Sequence, residues 1–190
     1  MIDRPVAGLV LAGGASRRFG GGKLLHKMNG RTLIECALQA PLHAPLSQVV
    51  VVTGAYHAEL APVLAPYPVQ VVYNPDWEGG LSTSLKAGLA RLMEAAAVVI
   101  CLADQPDLPA AVITALVETY RRTGARIVAP ALAGVRRNPV LFDRSLFPDL
   151  LATQGDEGGR SVIRRHEAEL ALVPFDQAAW FRDIDVPADL

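Results

Sequence analysis

A wholly apolar run, Val6 to Leu11, empties directly into residues 11–25, LAGGASRRFGGGKLL. The run has the length of a buried strand. The five glycines behind it (Gly13, Gly14, Gly20, Gly21, Gly22) let the backbone turn through positive φ and lie close to a ligand. Arg17, Arg18 and Lys23 bring three positive charges to a stretch whose N–H groups can converge on an anion, the make-up of a loop that holds a polyphosphate. The loop spells neither GxGxxG nor GxxxxGK(S/T), because Ala15-Ser16-Arg17-Arg18 follows the first glycine pair and Leu24 follows Lys23. A flexible strand-to-helix connection with solvated charges is the competing reading.

Against a formal net charge of −1, that local positive charge stands out, and nothing suggests a nucleic-acid or membrane partner. With 51% hydrophobic and 19% charged residues, the 190-residue chain reads as one globular domain over 1–190, with a less regular part at 131–173. Cys36 and Cys101 sit in apolar segments without CxxC or Cys/His spacing, so they read as buried thiols in a reducing cytoplasm. The N-terminal MIDRP lacks a signal-peptide pattern, and no apolar run reaches the ~18 to 20 residues of a membrane span. A soluble, cytoplasmic protein is expected.

Strands are predicted at Gln48–Thr53, Val69–Tyr73, Ala97–Leu102 and Arg126–Pro130, apolar enough to imply a parallel sheet covered on both faces. Between them lie a helix capped by Thr32, a short helix at His57–Leu64 broken by Pro62 and Pro66, and a helix from Leu108-Pro109 to Arg121 capped by Asp107. Gly79-Gly80 leads into Ser82-Thr83-Ser84, a helix start suited to phosphate or sugar hydroxyls, or simply to capping itself. Trp77 is placed either to stack on a base or to pack in a turn.

The strand Ala97–Leu102 delivers Ala103-Asp104-Gln105-Pro106. Ligands of open α/β sheets sit at the carboxyl ends of strands, so Asp104 shares an edge with the glycine loop and is positioned to hold a divalent cation against a polyphosphate. Phe181–Pro187 reads as a short strand with Asp183 and Asp185 on one side and Ile184 on the other, the acids facing either metal or solvent. Thr153–Arg160 is a polar, glycine-rich loop, either solvated or in contact with a second substrate.

The motifs, in this order, resemble the nucleotidyltransferases of molybdenum cofactor maturation, and within them the cytidylyltransferases. The resemblance spans nearly the whole chain: LAGGASRRFGGGKLL, VVVVTG at 49–54, NPDWEGGLSTSLKAGL at 74–89, ADQP at 103–106, NPVLF at 138–142, GDEGGR at 155–160 and DIDVPADL at 183–190. It implies an α/β, Rossmann-like three-layer sandwich with a mostly parallel central sheet. It further implies transfer of CMP from CTP to the terminal phosphate of a molybdopterin-type acceptor, with release of pyrophosphate. By matching position, Leu11, Ala12, Gly13, Gly14, Arg18, Lys23, Thr53, Asn74, Ser82, Ser84 and Asp104 would bind the nucleotide. Arg18, Lys23 and Asp104 would be catalytic, and Asp104 with Asp185 would hold Mg2+. Gln105, Pro106, Asn138, Pro139, Gly155, Asp156, Gly158 and Arg160 would contact the acceptor. A molybdoenzyme or its chaperone would receive the product.

The chain departs from the family pattern at two places. Arg137 stands where a glycine often precedes the Asn-Pro pair, and Leu11-Ala12-Gly13-Gly14 is the spelling of the guanylyl relatives, where the cytidylyl branch commonly reads LAAG. A GTP-using enzyme, a nucleotidyltransferase with another phosphorylated acceptor, and a non-catalytic nucleotide or pterin carrier are the alternatives. A nicotinamide-linked dehydrogenase would need GxGxxG after the first strand and an acid ending the second, which instead ends in Thr53-Gly54.

Overall fold

Every residue of the first strand, β1 (Val6–Ala12), is buried, so it needs cover on both faces. The computed structural model, which describes residues 5–190, supplies that cover with helices and holds six helices and nine further strands. A small hairpin, β2 (Lys27–Met28) and β3 (Arg31–Thr32), precedes α1 (Leu33–His43), β4 (Val49–Thr53), α2 (His57–Leu64) and β5 (Gln70–Tyr73). Next come α3 (Leu81–Leu89), β6 (Ala97–Leu102), α4 (Ala110–Thr123), β7 (Ile127–Leu132), β8 (Val135–Arg136) and β9 (Val140–Asp143). The chain closes with α5 (Phe147–Leu151), α6 (Arg160–Arg165) and β10 (Leu170–Phe175).

The main sheet runs β10-β7-β9-β6-β1-β4-β5, with β8 paired to β7. It is parallel except for β9, antiparallel to both neighbours, and β8. Period-two alternation divides the core. Val6, Val10, Val49, Val51, Val99 and Cys101 pack under Ile34, Leu38, Leu60 and Leu116 of α1, α2 and α4. Leu9, Val50, Val52, Val98 and Ile100 pack on the opposite face with Leu85 and Leu89 of α3, Phe147 and Leu150 of α5, and Val162 of α6. The expected mostly parallel α/β sandwich is the observed fold.

From β1 the chain moves outward to β4 and β5, then returns to place β6 on the other side of β1. The strand order therefore reverses between β1 and β6, and a crevice opens at their carboxyl ends, where such sheets bind ligands. Both the glycine loop and Asp104 leave the sheet at that crevice.

Thr32 caps α1 as expected, in a reciprocal pair: its hydroxyl accepts from the Glu35 N–H at 3.4 Å, and the Glu35 carboxylate accepts from the Thr32 N–H at 2.8 Å. Three local expectations are corrected. Pro62 lies inside α2 and does not break it; one backbone bond is lost, but Leu60 and Leu64 stay buried. Asp107 does not cap α4, where Pro109 takes the cap position; its carboxylate instead accepts from Arg182 Nη2 at 2.8 Å, a partner 75 residues away. The tail forms no strand. Its Ile184 N–H donates to the Asp104 carbonyl, and the Asp189 carboxylate takes the N–H groups of Asp185 and Val186, leaving no row of groups for a ladder. The 131–173 part is also more regular than its sequence suggests, since β9 joins the central sheet between β6 and β7.

Candidate active site

Beyond Ala12 the chain turns away from the sheet, and Gly20, Gly21 and Gly22 all take positive φ (92°, 104° and 57°), a path that L side chains resist. The carbonyls of Ser16 and Arg17 take the N–H groups of Phe19, Gly20 and Gly21. Among the described residues the N–H groups of Gly14, Ala15 and Ser16 have no acceptor, and all three residues line a cavity of about 490 Å³. That volume lies within the range of small-molecule sites. Its walls include Arg17, Arg18, Lys23, Trp77, Ser84 and Asp104, together with Asp156 and Asp185.

Lys23 is buried, and its ammonium donates to Asp104 Oδ2 at 2.9 Å and to the Ile184 carbonyl at 2.6 Å, with Asp185 Oδ1 at 3.7 Å. An ammonium has three N–H donors, so one remains for a ligand oxygen. Arg18 forks onto both oxygens of Asp185 at 2.9 and 3.1 Å. The tail thus straps across the glycine loop, with Ile184 packed into Phe19 and Leu33.

Asp104 Oδ1 is buried without any hydrogen-bond partner. Asp183 lies close by, taking an amide hydrogen bond from Gln105 Nε2 at 2.9 Å. Burial, and then the negative charge of Asp104, push the Asp183 carboxyl above the ordinary aspartate range. Among the described residues no three His, Cys, Asp or Glu side chains form a metal-holding group. A buried carboxylate oxygen without a partner, on a residue that lines the cavity, fits a different mode, in which one or two protein carboxylates bind a hard cation and phosphate oxygens and water complete its shell.

The residues singled out from sequence separate into layers. Leu11, Ala12, Gly13, Gly14, Arg18, Lys23, Ser84, Asp104 and Asp185 line the cavity. Thr53, Asn74 and Ser82 do not. The buried Thr53 hydroxyl faces His57 Nδ1 at 2.8 Å and the Val72 carbonyl at 3.3 Å, while Asn74 Nδ2 donates to Thr83 Oγ1 and Ser84 Oγ at 2.9 and 3.0 Å. Asn74 therefore positions Ser84 rather than facing the cavity itself. The start of α3 is already occupied, because Leu81 N–H donates to Asp156 Oδ1 and Ser82 N–H to the Gly155 carbonyl. Gly80 permits that contact, since a Cβ there would lie 2.6 Å from the Gly155 carbonyl carbon.

Next to the main cavity, sharing Leu11, Leu81 and Leu102 with it, is a smaller one of about 60 Å³. Asn138, Gly158 and Arg160 line it, and so does Arg136, which the sequence reading passed over. Arg137, the departure from the family pattern, is not among its walls. Gln105 and Pro106 line neither cavity, and Pro139 follows Asn138 through a cis peptide.

A family model described as a MobA-like NTP transferase domain matches residues 8–170. Among curated relatives, nicotine blue oxidoreductase of Paenarthrobacter nicotinovorans is 30% identical over 95% of this chain and 92% of its own length. The purine catabolism protein PucB of Bacillus subtilis is 31% identical over 96% and 92%. A molybdenum cofactor guanylyltransferase of Ralstonia nicotianae is 31% identical over 97% and 94%. Among solved structures, Rv0371c of Mycobacterium tuberculosis superposes with a TM-score of 0.88 at 26% identity, covering 100% of this chain and 96% of the other.

Proposed function

This chain belongs to the MobA-like NTP transferase family, and from that premise we propose that it transfers a nucleoside monophosphate, CMP from CTP, to the terminal phosphate of a molybdopterin-type acceptor. The observation that carries the reading is the junction of Lys23 with Asp104, one carboxylate oxygen unpartnered, at the wall of a cavity also lined by Gly14 to Ser16, whose N–H groups have no acceptor among the described residues.

The glycine loop holds the triphosphate on its three open N–H groups, with Arg18 and the remaining Lys23 donor on phosphate oxygens. Arg18 changes partner from Asp185 to phosphate as the ligand enters. An acceptor phosphate oxygen attacks the α-phosphorus. The bond from that phosphorus to the oxygen bridging to the β-phosphate breaks, and pyrophosphate leaves with the electron pair. A phosphate monoanion or dianion is already a competent nucleophile, so no general base is required, and alignment plus charge neutralisation supply the rate. A bound Mg2+, held by Asp104 and Asp185, would offset charge on the phosphates. Lys23, fixed by Asp104 and Ile184, faces the same charge from the protein side.

Three features support CTP: the Ser82–Ser84 turn behind Gly79-Gly80, the DQP sequence at 104–106 and the GDEGGR loop at 155–160 resemble the cytidylyl branch. Incubating the protein with Mg2+, a molybdopterin-type acceptor and each of the four NTPs in turn, and following pyrophosphate, tests the reading. Release with CTP is expected. Release with GTP alone replaces the base, release with none favours a carrier, and oxidation of NADH or NADPH without pyrophosphate would overturn nucleotidyl transfer altogether.

A further inference from the structure

Arg136 and Arg160 reach the same small cavity from different parts of the chain, one from β8 and one from the start of α6. Among the described residues neither guanidinium has a hydrogen bond or an ion pair. Arg18, Arg126 and Arg182, by contrast, each bind a carboxylate through at least two hydrogen bonds. Arg136 is half-buried, and burial, followed by the charge of Arg160, lowers its pKa. The one acid on the wall, Glu157, is exposed and pairs with Arg164 at 3.6 Å. Apart from Asn138, the remaining walls are Leu81, Leu85, Ile100, Val140, Phe142 and neighbouring apolar groups. Two like charges held beside an apolar slot are unfavourable in isolation and become favourable when a dianion enters between them.

We propose that Arg136, together with Arg160, is an anion clamp that seats the phosphomonoester of the second substrate and sets the chain's preference for a dianionic acceptor. This rests on the nucleotidyl-transfer reading above, and adds Arg136 as the residue that selects a phosphate over a hydroxyl acceptor. The clamp adjoins the triphosphate cavity through the shared Leu11, Leu81 and Leu102, so a phosphate seated there is delivered beside the glycine loop.

The probe is phenyl phosphate, a phosphomonoester on a small apolar body, titrated by calorimetry into the wild-type protein and into Arg136→Gln, Arg136→Lys, Arg160→Gln and Arg18→Gln. Loss of a charged, bidentate donor should weaken phenyl phosphate roughly 10- to 100-fold in Arg136→Gln and Arg160→Gln. Arg136→Lys should recover part of the affinity. Arg136→Gln should melt at or above the wild-type temperature, because it removes a desolvated, repelled charge; an arginine with a structural role would instead lower the melting temperature. Binding undiminished in Arg136→Gln, binding lost only in Arg18→Gln, or no binding to the wild type would each overturn the clamp. The titration needs no NTP, so its failure leaves the pyrophosphate assay standing, and the absence of pyrophosphate release leaves the clamp standing.

Discussion

A methyl group at Gly13 puts the packing of the glycine loop to a sharp test. A Cβ there would lie 2.6 Å from Ser84 Oγ but 3.6 Å from Ser84 Cβ and 3.8 Å from Gly54 N, so the hydroxyl alone obstructs it. Ser84 cannot readily swing aside, since it is buried and its Oγ accepts from Asn74 Nδ2 at 3.0 Å. Gly13 has no positive φ, which leaves crowding as the whole cost of Gly13→Ala, about 1–2 kcal/mol by analogy with other overpacked sites. Ser84→Ala removes the obstruction. By itself it should cost about 1 kcal/mol for the lost hydrogen bond, with Asn74 Nδ2 still donating to Thr83 Oγ1. The double variant should be no less stable than Ser84→Ala alone, a coupling of about 1–2 kcal/mol in urea unfolding of the four proteins. Additive costs, agreeing within about 0.5 kcal/mol, would refute the contact.

Two further outcomes concern the scaffold. Thr32→Ala should cost about 1 kcal/mol, lowering the melting temperature by roughly 2–4 °C while leaving the KM for nucleotide unchanged. Glu35 is held below the ordinary glutamate range by the Thr32 N–H first, then by the Thr32 hydroxyl, with Tyr67 assisting. Its folded pKa is depressed, so its contribution is complete above the unfolded value and is lost as pH falls through the folded one. The stability gap between wild type and Glu35→Gln should therefore be constant above about pH 5.5 and shrink below about pH 4.3, as read by urea midpoints from pH 7 to 3. A gap that grows on acidification would reverse the assignment.

The parts of this fold that were legible in sequence are those where local pattern and burial agree. Val49–Thr53 and Ala97–Leu102 are apolar on both pleats because helices cover both faces, and Thr32 with Glu35 shows its capping box within four residues. What failed depended on distant partners. Val140–Asp143 is as apolar as its neighbours, but nothing local says that it enters the sheet between β6 and β7 in the opposite sense. Alternating acids at 183 and 185 imitate a strand, whereas Ile184 is anchored to Asp104 and Phe19. The lining of the cavity was legible where a strand end supplies the residue, as with Gly13, Gly14 and Asp104. It was not legible where a polar residue at a strand end supports a neighbour behind the wall: Thr53 turns to His57, and Asn74 holds Ser84. Arg136 had no motif to mark it, and its signal is a place in one cavity with Arg160, visible only in the folded chain.

The central claim is that Lys23 and Asp104 serve transfer rather than stability. Removing one member of a fully buried ion pair costs about 3–5 kcal/mol, but Asp104 is 26% exposed and Lys23 keeps Ile184 and the nearby Asp185, so Asp104→Asn should cost only about 1–2 kcal/mol. That corresponds to a fall of roughly 2–8 °C in melting temperature, leaving the protein folded at 25 °C. The decisive measurement is kcat for pyrophosphate release by folded Asp104→Asn across a Mg2+ titration. The expected result is a kcat lower by about 10²- to 10³-fold at every Mg2+ concentration. A wild-type kcat in the variant would contradict the assignment of Asp104 to the chemistry.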